Sequence, residues 1–176
     1  GTLMQGVAAA WLMTALTTSP APVALLTTMA NLPLFLVGLP AGALADVVDR
    51  RRLVLLTQIW MLVVASVLGV VALLGWISPG LLLALTFLIS LGGALGAPAW
   101  QALVPQLVPR RDLPSAVALN SAGFNLARAI GPALGGLVVA ASGPAAVFLL
   151  NAASFLAVIA VMARWRPPPR PQLERP

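Results

Sequence analysis

The chain alternates long apolar runs with short polar breaks, and the breaks are of two kinds. Three carry charge: Asp46 to Arg52, Arg110 to Asp112 and Arg164 to Arg175. The others, Thr18-Ser19-Pro20-Ala21-Pro22, Ile77-Ser78-Pro79-Gly80 and Ser142-Gly143-Pro144, carry none. Each apolar stretch between charged breaks holds two spans of about 20 residues, the length that crosses a hydrocarbon core of about 30 Å as helix. The pattern predicts an all-α membrane protein with six transmembrane helices, near residues 3–18, 22–45, 53–76, 80–104, 115–141 and 144–163. Pro or Gly punctuates each uncharged turn.

With six crossings, every charged break falls on one side of the membrane and every uncharged break on the other. Of the 10 arginines only Arg128 lies outside the clusters. The positive-inside rule makes the charged side cytoplasmic, with both ends of the segment inside a cell inner (plasma) membrane. A chain that is 60% hydrophobic and 8% charged, with mean hydropathy +1.01, is excluded from the soluble globular class. The net charge of +6 lines a membrane face without any aromatic-basic platform, so anionic lipid, not nucleic acid, is the expected partner. Zero Cys and zero His exclude disulfides, thiolate and imidazole metal sites, Cys nucleophiles and imidazole bases. No cofactor, metal or catalytic residue is expected. Leu119-Asn-Ser121-Ala-Gly123 fails the G-x-S-x-G elbow at its first position, which leaves an intramembrane hydrolase without its nucleophile.

Two domains follow: a bundle over 1–163 and a basic, Pro-rich linker over 164–176, read as a cytoplasmic connector. The first span offers only roughly 24 Å of helix before Ser19, short of the bilayer core. The expectation is that the start of this helix is missing from the segment. It has no basic region ahead of it and no convincing cleavage site, so it does not read as a signal peptide.

Two strings carry specific chemistry. Gly38 and Gly42 form a small-xxx-small stripe at the end of the second span, leading into Asp46-Val-Val-Asp49-Arg50-Arg51-Arg52. Asp46 stands at a helix carboxyl end, where the macrodipole disfavours an anion, so it wants a cation or another helix's amino end. The alternative is that Asp46 and Asp49 only offset the arginines at the headgroups. In the fifth span, Asn120 to Gly136 holds the lone charge, Arg128, about 21 Å of helix beyond Pro114 and hence near mid-membrane. A charge there costs a few kcal/mol or more and should face protein or water, with Asn125 three residues earlier on the same face. Pro132 also frees the carbonyl of Arg128. The alternative is a structural arginine that bonds neighbouring carbonyls.

Ala127, Gly131 and Gly135 make a smooth face on this helix, with Gly136 beside it, and Gly92 and Gly96 make another on the fourth. Close helix packing explains these glycines, and Pro132 is a candidate hinge. Among polar residues at membrane depth, including Gln5, Asn31, Gln58, Gln101, Asn151 and Ser154, single side chains in such bundles more often bond across helices than bind substrate. Asn31 and Gln101 are retained as candidate cavity residues. No Asp or Glu occurs at mid-membrane.

The string Gly42 to Arg52 resembles the loop signature G-x-L-A-D-R-x-G-R-R/K between the second and third helices of the major facilitator superfamily. Gly42, Leu44, Ala45, Asp46, Arg50 and Arg51 match, while Val47 and Asp49 depart. Gly131-Pro132-Ala-Leu-Gly135-Gly136 resembles the core of the superfamily's fifth-helix antiporter motif, whose two upstream glycines are Ala118 and Ala127 here. Trp11-Leu-Met-Thr, Leu32-Pro33, Pro98-Ala-Trp100-Gln101 and Asn120 through Gly136 are similar to the enterobactin-exporter-like, transmembrane secretion effector branch. The resemblance implies a twelve-helix carrier of which this segment is the amino-terminal half, working with a carboxyl-terminal six-helix half on a small organic substrate such as a drug, siderophore or metabolite. It further implies that Gly42, Asp46, Arg50 and Arg51 belong to a conformational latch, that Arg128, Asn125, Asn31 and Gln101 border the cavity or couple transport, and that protons drive export. A free-standing six-helix scaffold or assembly protein is the rival reading.

Overall fold

The computed structural model describes residues 1–165, and among them it is helical with no strand. The elements are α1 (Thr2–Leu16), α2 (Pro20–Val47), α3 (Arg50–Leu73), α4 (Pro79–Leu103) and α5 (Leu113–Arg164). Short 3-10 turns at Val104–Gln106 and Arg110–Asp112 join α4 to α5. Helices α2 to α5 are long and apolar enough to cross a membrane, and α1 is shorter. The expected linker 164–176 lies outside the described residues except for Arg164, which closes α5, and Trp165.

Local chemistry sets the helix ends. Asp49 caps α3 by accepting the backbone N–H of Arg52 at 2.9 Å. Ser78 caps α4 by accepting from Leu81 N–H at 3.3 Å, with Pro79 at the first helical position. Helix α3 stops at Leu73, short of the expected residue 76, because Gly75 adopts φ 73. Trp76 N–H then donates to Val71 C=O at 3.0 Å and Gly75 N–H to Ala72 C=O at 3.2 Å, the paired bonds of a Schellman stop.

Helix α5 has 52 residues. Unbroken it would run about 78 Å, far beyond a core of about 30 Å. It is broken at Gly143, whose φ 79 and ψ 170 lie in a region essentially reserved for glycine. The expected spans 115–141 and 144–163 therefore meet at this residue as two arms, 113–142 and 144–164. Gly135 of the first arm lies against the backbone of Met4, and Asn151 of the second bonds the side chain of Gln5. Both positions flank the same turn of α1, so the arms fold back and grip that helix between them.

The remaining layers pair α2 with α4, and α3 with both α4 and α5. Glycines set the closest approaches. A Cβ on Gly92 would stand 2.7 Å from Met61 Cγ, one on Gly96 would stand 2.6 Å from Thr57 Oγ1, and one on Gly69 would stand 2.6 Å from Leu149 Cδ2. Gly131 and Gly135 do the same for α1, where a Cβ would reach Leu3 Cβ at 3.2 Å and Met4 Cα at 3.0 Å. Gly92, Gly96, Gly131 and Gly135 thus lie where two helices approach closely. Gly38, Gly42 and Gly136 differ: a Cβ at Gly42 or Gly136 meets nothing within 4 Å, and one at Gly38 meets only Leu34 of its own helix. The reason is rotational, since α2 buries Leu26, Pro33, Ala41 and Ala45 instead.

The main core gathers Met13, Leu68, Leu82, Ile89, Val147 and Phe148 from four helices. A smaller one, Ala45, Leu53, Val54, Ala99, Leu103 and Met162, lies toward the charged turns. Large apolar side chains elsewhere point outward, among them Phe35 at 83% exposed and Leu39 at 91% on α2. That is the surface of a helix that meets lipid or another bundle.

Candidate functional site

At the charged end, three cationic side chains open α3, where the helix dipole opposes them. The fold relieves this by pointing two of them at other helices' carboxyl ends. Arg51 donates from Nε to Met162 C=O at 2.9 Å and from Nη2 to Ala163 C=O at 2.8 Å, covering carbonyls that α5 leaves without helical partners. Arg50 reaches Ala102 C=O near the end of α4 at 3.4 Å. These bonds put the carboxyl ends of α4 and α5 beside the α2–α3 turn, so charged breaks distant in sequence share one end of the bundle. Asp46 is exposed in the last turn of α2 and makes no ion pair among the described residues. Asp49, read as a headgroup counter-charge, is instead the cap of α3. The ion pair of Arg111 with Asp112, 3.5 Å and exposed, contributes little.

Along the first arm of α5, every residue from Val117 to Ile130 is exposed, whereas Gly131 and Gly135 are buried against α1. Arg128 sits at the middle of this arm, with its Cζ 5.8 Å from the centroid of the Phe124 ring. That separation is within cation–π range. A charge halfway along an arm of about 45 Å is as deep as the helix can place it.

Beside this arm opens a cleft of about 810 Å³. Its walls come from α3 (Val54, Thr57, Gln58 and Met61), from one face of α4 between Gly93 and Gln101, from Val104 just beyond it, from Val117, Asn120, Ser121, Phe124 and Asn125 of the first arm, and from Val158 of the second. Asn125 and Gln101 both line it, so two of the four expected cavity residues come together. Arg128 and Asn31 are not on its walls; Asn31 lies on α2 and donates its amide to Thr27 C=O at 2.8 Å. The carbonyl oxygen of Gln58 is buried and has no hydrogen-bond partner among the described residues. Gln58 was read among the polar residues that bond across helices, and Asn120 and Ser121 were not singled out for the cavity. For Ser121 a signal was available in spacing, because 117, 121 and 124 recur at three and four residues on one face.

A second polar feature joins α1 to α5. Asn151 donates to Gln5 Oε1, and Ser154 Oγ donates to Asn151 C=O at 2.7 Å. Asn151 is fully buried and Gln5 is 4% exposed. The Asn151–Gln5 pair bonds across helices, as polar residues in such bundles commonly do, whereas Asn31 and Thr57 bond carbonyls of their own helices.

A bundle of helices long and apolar enough to cross a membrane, with charges gathered at one end, is the architecture of a multi-pass membrane protein. The chain belongs to the transmembrane secretion effector family of the major facilitator superfamily, whose model matches residues 1–174. It is 35% identical over 136 residues to the uncharacterised MFS-type transporter y4rN of Sinorhizobium fredii, covering 77% of this chain and 34% of that protein. It is 33% identical to the uncharacterised MFS-type transporter YfiS of Bacillus subtilis, covering 78% and 32%. The staphyloferrin A transporter of Staphylococcus aureus is 30% identical, covering 72% and 32%. The chain thus aligns with about a third of each relative's length. No solved structure matches it. Members of this family are transporters, not enzymes.

Proposed function

We propose that the segment is the amino-terminal six-helix bundle of a secondary transporter that exports a small organic molecule by alternating access. In this reading α5 crosses twice, turning at Gly143, which completes six crossings from five helices. The charged end is cytoplasmic in this reading, which the arginine asymmetry supports, and the membrane is the plasma membrane. A carboxyl-terminal half closes over the outward faces of α2 and the first arm of α5. Kinship with a protein named as a staphyloferrin A transporter supports a small organic cargo, and proton coupling follows from the family resemblance.

One observation carries the reading. Arg128 stands at the middle of a helical arm on which every residue from Val117 to Ile130 is exposed. An arginine kept at that depth needs water, a substrate or a second bundle, because lipid is too costly a surrounding. In the full carrier, Arg128 meets a polar or anionic group of substrate or a carboxylate of the other half. Arg128→Ala in the full-length gene product should abolish most export while Arg128→Lys, which keeps charge but loses the planar fork, retains part of it. Protein levels should match the parent in both, since removing this arginine lowers an insertion cost. Normal export by Arg128→Ala, or failure explained by loss of protein, rejects the role.

The latch assignment of Gly42, Asp46, Arg50 and Arg51 belongs to the same proposal. Asp46 makes no ion pair among the described residues, and in this reading it meets a helix amino end of the other half. Arg51 already serves the bundle itself by covering the end of α5.

A further inference from the structure

We infer that the seam between α3 and the second arm of α5 binds one anionic phospholipid at its charged end, the phosphate between Arg52 and Arg164 and an acyl chain along the groove they head. The two helices run antiparallel and meet near both ends. Arg51 binds the carbonyls of Met162 and Ala163 at the charged end, and a Cβ on Gly69 would strike Leu149 toward the other. Arg52 and Arg164 each follow that first contact by one residue, so the fold brings two cations to one level of the seam. Both are exposed, and neither side chain has an ion-pair partner among the described residues.

Charge complementarity selects an anion. Three arginines open α3 at the positive end of its dipole, and Arg50 and Arg51 are turned to carbonyls at the ends of α4 and α5, which offsets two of them. Arg52 has no such end to meet and shares its side of the seam with another cation. A phosphodiester between the two guanidinium groups takes charge-assisted hydrogen bonds from both. The groove makes that anion a lipid. Leu56, Ile59 and Val63 stand four, seven and eleven residues from Arg52, and Ala160, Ala157 and Ala153 stand at the same three spacings from Arg164. All six are exposed, so a strip of large side chains runs beside a strip of alanines. Eleven residues of helix cover about 16 Å, which is one leaflet's share of a hydrocarbon core of about 30 Å. Trp165, packed on the small core of Leu53, Val54 and Met162, marks the headgroup level at this end, where tryptophan rings gather.

The test is an equilibrium titration of the purified full-length gene product with phosphatidylglycerol carrying a fluorescent acyl tail, in neutral detergent. Salt is held at about 0.15 M, where a Debye length of about 8 Å screens diffuse attraction. Arg52→Gln with Arg164→Gln should weaken binding about thirtyfold, the share of two arginines at an anionic headgroup. Arg110→Gln with Arg111→Gln removes equal charge from the same end and should change binding by less than about threefold. Arg52→Lys with Arg164→Lys keeps the charges and should retain most of the binding, which separates loss of the site from loss of the fold. Phosphatidylcholine with the same tails should bind at least about tenfold more weakly, and millimolar inorganic phosphate should leave the lipid bound. Equal weakening by the two glutamine pairs would mean diffuse attraction and overturn the inference. Displacement by inorganic phosphate, or phosphatidylcholine binding as tightly, would overturn it as well.

Discussion

Replacing Asn151 with alanine should destabilise the bundle through the group it leaves behind more than through the bond it removes. Asn151 is fully buried and donates its amide to Gln5, itself 4% exposed. With Asn151 truncated, the Gln5 carbonyl oxygen is stranded in a closed apolar site. An orphaned buried polar group costs about 1–3 kcal/mol, whereas interhelical bonds in membranes average only about 0.6 kcal/mol when measured by double-mutant cycles. The expected penalty for Asn151→Ala is therefore about 2 kcal/mol, with Gln5→Ala similar. Removing both partners together with shape-filling residues, Gln5→Leu with Asn151→Leu, should cost less than the sum of the two leucine singles by about 1 kcal/mol or more. The assay is reversible unfolding of the purified bundle in mixed micelles by added denaturing detergent, followed by tryptophan fluorescence. Trp11 on α1 and Trp60 on α3 provide internal signals. Additivity of the singles to within about 0.3–0.5 kcal/mol would show that the two side chains are independent and refute the reasoning.

Gly143→Ala should cost about 1–3 kcal/mol because φ 79 with ψ 170 is closed to a Cβ, and should be read as lost accumulation in membranes; an unaffected level would mean that α5 turns elsewhere. Single cysteines at Ser78 or Ser142 should react with an impermeant thiol reagent added outside intact cells, and one at Val108 should not, the reverse pattern rejecting the orientation. Asp46→Asn in the full-length carrier should lower transport and shift spectroscopic distances between the halves toward inward-facing states, because an anion favouring one closed interface is removed. Unchanged distances and rates would leave Asp46 as a headgroup counter-charge.

Much of this architecture was legible because the bilayer imposes coarse rules on sequence. The uncharged turn Ser142-Gly143-Pro144 marked the fold-back of α5, and the charged breaks marked one end of the bundle, where Arg51 meets Met162 and Ala163. The glycine pairs at 92 and 96, and at 131 and 135, announced close packing without saying against what. Partner choice is where a single sequence falls silent. Gln5 and Asn151 were two separate polar residues until the fold placed them together. Gly69 went unremarked although Ala65-xxx-Gly69 has the same small-residue spacing, because an apolar span offers many such pairs and only contact with Leu149 selects this one. The faces of Gly38, Gly42 and Gly136 illustrate the converse. Their spacing announces an approach, and within the described residues none occurs, since α2 turns Ala41 and Ala45 inward and α5 turns Gly131 and Gly135 toward α1. For the candidate site, depth was readable from the helix count, which put Arg128 at mid-arm, whereas the gathering of Asn125 and Gln101 on one cleft without Asn31 was not.

The most direct test of the half-carrier account is transport by the segment with and without its complement. Inside-out vesicles would carry the full-length product, residues 1–176 alone, or residues 1–176 with the remaining half expressed as a separate chain, each assayed for uptake of a substrate found with the full-length product. Alternating access needs a second bundle to close over the site, so the account predicts uptake by the first preparation, none by the second and partial recovery in the third. Robust uptake by residues 1–176 alone would contradict it.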